Sequence, residues 1–188
     1  MIKNFIFDIG GVILDNSKEI LQKYLNKDEK EVKELTNIVY GSPLFRKVLL
    51  GEMTQKECMK QLTIQYPKYS LEIEKMLSDS NQNKILPLKK EILDLIYKLK
   101  ERNYKLYLLS NLTKQTYNYI EELKILDTFD GGVFSFKDKL LKPHNEIYEL
   151  LVERYNLNRK ECVFFDDILK NVEAGNKLGI KSIQFKSI

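Results

Sequence analysis

Residues 5–12 read Phe-Ile-Phe-Asp-Ile-Gly-Gly-Val, an apolar run that ends at Asp8 and then turns through a pair of glycines. Four more short runs along the chain are rich in Ile, Val, Phe, Tyr or Leu and bounded by polar or glycine positions. Such runs predict buried β-strands. The predicted strands are 4–8, 105–110, 132–136, 162–166 and 181–185.

Helical stretches separate the strands. The clearest is 88–102, whose apolar residues fall largely on one face, and 147–155 and 172–178 behave similarly. Continuous apolar strands alternating with amphipathic helices indicate a parallel sheet covered by helices on both faces. We therefore predict an α/β fold, a doubly wound parallel sheet of the Rossmann-like type.

The alternation is interrupted once, directly after the first strand, by a long segment with helical features only. A capping-box pattern at residues 54–57 and Ser70 before Leu71 predict two helix starts within it. Pro87 predicts the start of the helix that returns to the sheet. We expect two parts: an α/β core formed by residues 1–15 and 84–188, and a small helical cap, 16–83, inserted after the first strand.

Composition excludes several classes of protein. About 43% of the 188 residues are hydrophobic, and 31 basic against 27 acidic residues give a formal charge of +4. The basic residues are spread along the chain, which argues against a nucleic-acid binder. No segment has the length of a signal peptide or a membrane span, so we expect a cytoplasmic protein with no membrane partner. No pattern indicates an obligate protein partner.

The residues that end the predicted strands carry the chemistry. The first strand ends in Asp8, the second in Ser110 and Asn111, and the fourth in Asp166 and Asp167. In an open parallel sheet, the carboxyl ends of the strands form the crevice where ligands bind. We expect these side chains to converge there, with Lys142 reaching the same edge from the loop after the third strand.

Three carboxylates in one cleft repel one another, so one takes up a proton unless a cation compensates. Magnesium fits best, because it prefers a few carboxylates together with waters and phosphate oxygens. A metal ion and a lysine beside carboxylates and backbone N–H groups form a site for a phosphoryl group. An isolated aspartate at a strand end is more often a structural cap than a functional residue. Here several strand ends carry acidic or hydroxyl side chains, which favours a functional site.

At this point the chain resembles the haloacid dehalogenase superfamily of hydrolases over essentially its whole length. The resemblance rests on four motifs in order, the last followed by Asn171: Phe5-Ile6-Phe7-Asp8-Ile9-Gly10-Gly11-Val12, Leu108-Leu109-Ser110-Asn111, Lys142-Pro143 and Val163-Phe164-Phe165-Asp166-Asp167. It implies a phosphatase that uses Mg²⁺ and is phosphorylated on the nucleophile Asp8. The helical insertion resembles the small cap of the family.

The resemblance also assigns roles by position. Ser110 and the backbone N–H of Asn111 would hold phosphoryl oxygens, and Lys142 would offset charge between nucleophile and phosphate. Asp8, Asp166 and the backbone carbonyl of Gly10 would bind the metal directly. Asp167 would act through a water.

Gly10 departs from the family pattern. Phosphatases of this family carry a second Asp at that position, which protonates the leaving group, and such help is worth roughly 10²–10⁴-fold in rate. Either the substrate has a good leaving group, or a cap residue or substrate group replaces the acid. An anomeric sugar phosphate satisfies the first option, and motif one resembles that of bacterial glucose-1-phosphate phosphatases. We expect a small sugar phosphate, such as glucose 1-phosphate, as the substrate.

Two other functions remain as alternatives: a weakly active phosphate-binding or regulatory protein, and a 2-haloacid dehalogenase. Among residues away from the strand ends, Arg46 in the cap is a candidate for substrate contact. Tyr40 and Phe45 are expected to pack within the cap rather than to line a pocket. The lone histidine, His144, is expected to be a surface residue at a helix start. Asn171 either orients the acids of the fourth motif or caps a helix.

Overall fold

Five parallel strands form the centre of the protein in a computed structural model that describes residues 1–186. The strands are β1 (Asn4–Phe7), β2 (Lys105–Ser110), β3 (Gly131–Phe134), β4 (Cys162–Asp166) and β5 (Lys181–Gln184), in the order β3-β2-β1-β4-β5. Because β1 is central, Phe7 pairs with Leu108 on one side and with Phe165 on the other. The predicted α/β fold is confirmed, and every predicted strand overlaps an observed one.

Helices cover both faces of the sheet. They are α7 (Lys90–Glu101), α8 (Lys114–Glu122), α9 (Ser135–Asp138), α10 (Asn145–Arg154) and α11 (Leu169–Lys177). On one face, Phe7 and Leu108 pack with Ile92 and Ile96 of α7. On the other face, the alternate strand residues pack against α10 and α11 in a second cluster. Strands β1 to β4 therefore bury side chains on both faces, as expected of a doubly wound sheet.

Six helices lie between β1 and α7. They are α1 (Lys18–Leu25), α2 (Glu29–Val39), α3 (Pro43–Leu49), α4 (Gln55–Gln65), α5 (Ser70–Leu77) and α6 (Gln82–Ile85). They share a hydrophobic cluster of their own, which meets the cluster of the sheet at Leu86. We refer to residues 18–85 as the helical layer.

The predicted helix starts in this layer have mixed outcomes. The capping box at the start of α4 is confirmed, because Thr54 and Glu57 bond to each other's backbone N–H groups. The helix start at Ser70 is also confirmed, because Ser70 is the first residue of α5, although Tyr69 holds the cap position without a side-chain hydrogen bond. Pro87 does not open α7, which begins at Lys90. The carbonyl of Pro87 instead accepts a hydrogen bond from Asp15, so this segment pairs with the outgoing chain.

The two connections between the helical layer and the sheet therefore run side by side. Asp15 N–H donates to Pro87 O at 2.8 Å, and Lys89 N–H donates to Ile13 O at 2.9 Å. The Lys89 ammonium group also donates to the carbonyl of Gly11 at 2.7 Å. These bonds fix where the layer leaves and rejoins the sheet. Within the described residues, no helix has the length and apolar character that crossing a membrane requires.

Candidate active site

Asp8 lies one residue beyond the central strand, at the carboxyl edge of the sheet. Its backbone N–H continues the ladder by donating to Phe165 O at 2.9 Å, so the position of Asp8 is set by the strand register. The side chain is buried, and its Oδ1 accepts from the backbone N–H of Ile9 at 2.7 Å. Oδ1 also lies 3.0 Å from the Lys142 ammonium group. Asp8 Oδ2 accepts no hydrogen bond of good geometry from the described residues.

Lys142 joins the two acidic strand ends. Its buried Nζ lies 3.0 Å from Asp8 Oδ1, donates to Asp166 Oδ2 at 2.6 Å, and donates to Leu109 O at 2.8 Å. All three donor positions of the ammonium group thus have a partner. A buried charge needs such pairing, because leaving it alone in the interior costs several kcal/mol, on the order of 3–5.

Asn111 holds the lysine by its backbone. Its side-chain Nδ2 donates to Lys142 O at 3.0 Å, while its Oδ1 accepts from Lys142 N–H at 2.9 Å. The sequence-based role given to Asn111 involved only its backbone N–H, so this side-chain function was missed. This function depends on a loop that lies 31 residues away in sequence, and no local sequence pattern predicts it.

Asp166 is fully buried at the end of β4 and is held by four hydrogen bonds. Besides Lys142, it accepts from the backbone N–H of Ile168 at 2.8 Å. The amide of Asn171 donates to both of its oxygens at 3.0 Å. Of the two readings of Asn171, the structure supports the first, because this residue orients the carboxylate from within α11.

Asp167 completes an acidic cluster. Oxygen atoms of Asp8, Asp166 and Asp167 all lie within 4.8 Å of one another. Gly11 makes room for Asp167: its φ is +73°, and a Cβ there would lie 2.9 Å from the Asp167 Cβ. A side chain at position 11 would therefore push Asp167 out of place.

The acidic cluster fits a small divalent cation. Three carboxylates and one ammonium group would leave two negative charges, which one Mg²⁺ balances. Two oxygens on the same Mg²⁺ lie at most about 4.2 Å apart, given bonds of about 2.1 Å. Oxygens that all lie within 4.8 Å of one another are therefore close enough to share one such ion, directly or through a bound water.

Burial perturbs the titration of this cluster. Desolvation, with a contribution from the charge of Asp166, raises the pKa of Asp8 from 3.8 to about 7, although Lys142 opposes the shift. Burial and the same neighbour also raise the pKa of Asp167. Carboxylates that resist ionisation in a cleft are typical of sites that receive a cation.

Ser110 supplies a hydroxyl without a partner. It is buried at the end of β2, beside Asp8, yet its Oγ makes no hydrogen bond with acceptable geometry to any described residue. An unpaired buried hydroxyl costs free energy, on the order of 1–3 kcal/mol. It is therefore poised for a ligand atom.

A cavity of about 380 Å³ extends from this edge of the sheet into the helical layer. The loops after β1, β2 and β4 contribute Gly10, Asn111 and Ile168 to its wall. Tyr40 and Phe45, with rings 5.0 Å apart, line it from the helical layer. Phe45 also packs against the hydrophobic cluster of that layer, as predicted, but the part that both rings take in the cavity wall was not expected.

Two sequence candidates lie outside this site. Arg46 is exposed on α3 and is not part of the cavity wall, so the structure does not bring it to the strand ends. His144 is exposed at the N-cap position of α10, as expected. Its side chain makes no capping hydrogen bond.

Comparison with known proteins agrees with this geometry. The profile of the haloacid dehalogenase-like hydrolase family matches residues 2–179. A D-ribitol-5-phosphate phosphatase from Bacteroides thetaiotaomicron is 26% identical, over 98% of this chain and 92% of its own. A sesquiterpene phosphatase from Aspergillus oryzae is 25% identical, over 95% and 87% of the two chains.

Among solved structures, a haloacid dehalogenase family enzyme from Bacteroides thetaiotaomicron, in complex with magnesium and inorganic phosphate, superimposes with a TM-score of 0.77. It is 25% identical, and the match covers 99% of this chain and 95% of that one. The family match spans nearly the whole chain and includes Asp8, Ser110, Lys142 and the Asp166-Asp167 pair. The protein belongs to the haloacid dehalogenase-like hydrolase family.

Proposed function

We propose that the protein is a magnesium-dependent phosphomonoesterase that works through a phosphorylated Asp8. The observation that carries the proposal is the convergence of Asp8, Lys142 and Asp166 beside the unpaired hydroxyl of Ser110. Its relatives named as phosphatases support the same reaction class.

Asp8 acts as the nucleophile. Its carboxylate attacks phosphorus, the bond between phosphorus and the ester oxygen breaks, and the alcohol leaves with its electron pair. The leaving oxygen takes a proton from solvent, because Gly10 offers no acid. Water then attacks phosphorus, which releases inorganic phosphate and regenerates the Asp8 carboxylate.

The neighbouring residues stabilise the charge that develops. Lys142, already 3.0 Å from Asp8, offsets negative charge between nucleophile and phosphate. Ser110 donates its free hydroxyl to a phosphoryl oxygen, and the backbone N–H of Asn111 binds another. The side chain of Asn111 keeps the Lys142 backbone in place.

Asp8, Asp166 and the Gly10 carbonyl would hold Mg²⁺ directly, with Asp167 acting through a water. The ion would neutralise charge on the carboxylates and the phosphate. Support comes from the spacing of the carboxylates and from the magnesium and phosphate bound by the solved relative.

The helical layer serves as the cap, the smaller of two domains, and covers the strand ends. A small sugar phosphate, with glucose 1-phosphate as the first candidate, remains the substrate class that the sequence indicates. The relative named for ribitol 5-phosphate supports a polyol. Arg46 would have to act from outside the cavity.

Haloacid dehalogenation is disfavoured by the acidic cluster. That reaction needs no metal, and without a cation Asp166 and Asp167 beside the nucleophile would cost several kcal/mol, roughly 3–5, or take up protons. Chloride release from 2-chloropropionate without magnesium tests this alternative.

The deciding experiment measures phosphate release from p-nitrophenyl phosphate, glucose 1-phosphate and glucose 6-phosphate, with and without magnesium. We expect magnesium-dependent turnover that disappears in Asp8→Asn. A folded protein that binds magnesium but hydrolyses no ester would instead be a phosphate-binding or regulatory protein. Faster turnover of the 1-phosphate than of the 6-phosphate would support the leaving-group argument.

A further inference from the structure

The cavity above the strand ends has a mainly apolar wall. Side chains from the sheet loops and from the helical layer both contribute, among them Leu14, Phe45, Leu49, Met76, Leu86 and Leu112. A volume of about 380 Å³ lies in the range of pockets that enclose small organic ligands, roughly 300–1,000 Å³. The alcohol part of a phosphate ester held at Asp8 would occupy this space.

Each deep polar side chain of the wall already makes at least one hydrogen bond within the protein. The amide of Gln55 donates to Leu77 O at 2.8 Å, and that of Gln82 accepts from the Thr116 hydroxyl at 2.9 Å. Thr113 bonds to Thr116, and the Asn111 amide is taken up by the Lys142 backbone.

Among the described residues, few polar groups deep in the wall remain to bind the hydroxyl groups of a sugar, chiefly Gln55 Oε1 and Gln82 Nε2. Of the other polar residues that line the cavity, Asn16 and Lys18 are exposed, and the Tyr40 hydroxyl makes no hydrogen bond to a described residue. A site that recognises a polyol needs paired donors and acceptors, because each buried hydroxyl without a partner costs about 1–3 kcal/mol. The wall therefore suits an apolar alcohol better than a sugar.

The absence of a general acid at Gly10 also bears on which alcohol the site favours. No carboxylic acid or imidazole side chain lies among the described residues of the cavity wall. Without a general acid, a leaving group that departs as a stable anion is favoured. A phenol meets both conditions, since its ring is apolar and its oxygen leaves easily, and the rings of Tyr40 and Phe45 offer aromatic contacts.

We propose that the preferred substrates are phosphate monoesters of apolar, aromatic alcohols, whose bodies fill the cavity between the sheet and the helical layer. This inference rests on the proposed phosphomonoesterase function and replaces the sugar phosphate as the first substrate class.

The test compares phenyl phosphates that differ only at the para position, which keeps the leaving group nearly constant. In the series methyl, ethyl, propyl, kcat/KM should rise about fourfold for each methylene that is buried. The para-ethyl ester should exceed its para-hydroxymethyl analogue, which replaces a methyl group by a hydroxyl. Both should exceed glucose 1-phosphate.

A variant of the cavity wall provides the control for location. Leu49→Gln should reduce the preference for ethyl over hydroxymethyl several-fold. Ile64→Gln, which alters a residue of the same layer that is 71% exposed and away from the cavity, should leave the preference unchanged. If Leu49→Gln fails to fold, the para series on the unaltered protein still decides the question.

Binding of para-alkylbenzyl phosphonates to the magnesium-loaded protein, measured by calorimetry, separates the two proposals. Hydrolysis of all esters without any rise along the para series, or with glucose 1-phosphate preferred, overturns the apolar substrate and leaves the phosphatase intact. No hydrolysis at all, with affinity that rises along the phosphonate series, overturns the reaction and supports the apolar ligand.

Discussion

Restoring an acid at position 10 tests why this protein lacks one. A Cβ at Gly10 would meet only Asn16 Nδ2, at 3.7 Å, which is an ordinary contact. The backbone there is not in the left-handed region, so Gly10→Asp introduces a carboxyl without strain. Because position 10 lies on the cavity wall, the new carboxyl would lie near the leaving oxygen.

General acid catalysis is worth about 10²–10⁴-fold, and an acid added without further adjustment should reach the lower end, about 10²-fold. We expect this gain in kcat for ethyl phosphate, whose alkoxide needs a proton to leave. For p-nitrophenyl phosphate, whose anion leaves unaided, little change is expected. The assay measures the rate of phosphate release from each of the two substrates.

Gly10→Asn is the matched control, since it has the same shape without a transferable proton. Equal turnover of ethyl phosphate by the two folded variants would refute the reasoning. It would mean that the absence of an acid at position 10 does not limit the reaction, and a leaving-group argument for any substrate would lose its basis.

Three further predictions concern the charges of the site. Lys142→Ala should lower the free energy of unfolding, measured by urea denaturation, by about 3–5 kcal/mol. The control Lys3→Ala removes an exposed ion pair with Glu161 and should cost less than about 1 kcal/mol. Equal losses in the two variants would contradict the stabilising role of the buried Lys142 pairs. Because the pKa of Asp8 is about 7 in the folded protein and 3.8 ordinarily, metal-free protein should lose stability as pH rises from about 4 to about 7. Asp8→Asn should show a smaller loss, and an identical pH profile by urea denaturation would be inconsistent with that shift. Gly11→Ala should displace Asp167 and so raise the magnesium concentration needed for activity. The control Gly179→Ala should not, because Gly179 has a similar φ of +80° but no atom near the position of its Cβ. The same response in both variants would assign the effect to backbone strain alone.

The strand ends were predictable because they depend on local patterns. An apolar run that stops at a carboxylate places Asp8 or Asp166 at the edge of a parallel sheet whatever the rest of the chain does. The five strands followed from the same reasoning. By contrast, the helix start at Pro87 was misplaced, because the pairing of Asp15 with Pro87 O overrides local preference and α7 begins only at Lys90.

The contacts between distant segments were not predictable in this way. Asn111 bonds to the backbone of Lys142, and the Tyr40 ring faces the cavity. Both contacts depend on how distant segments meet in the folded protein. An apolar residue in a helix has the same sequence pattern whether it fills a core or lines a binding pocket. The cavity wall, which decides the substrate, was therefore the part that sequence alone described least well.

The central place of β1 in the sheet has a consequence for biosynthesis. The strand that leads into Asp8, the proposed nucleophile, leaves the ribosome before both of its neighbours, and β4 follows β2 only after most of the chain has been made. Until β4 pairs with β1, an apolar strand edge stays open and is a target for chaperones. Asp166 is synthesised with that last neighbour. Asp8 is therefore made early, but the acidic cluster that it forms with Asp166 and Asp167 is complete only after β4 has been made.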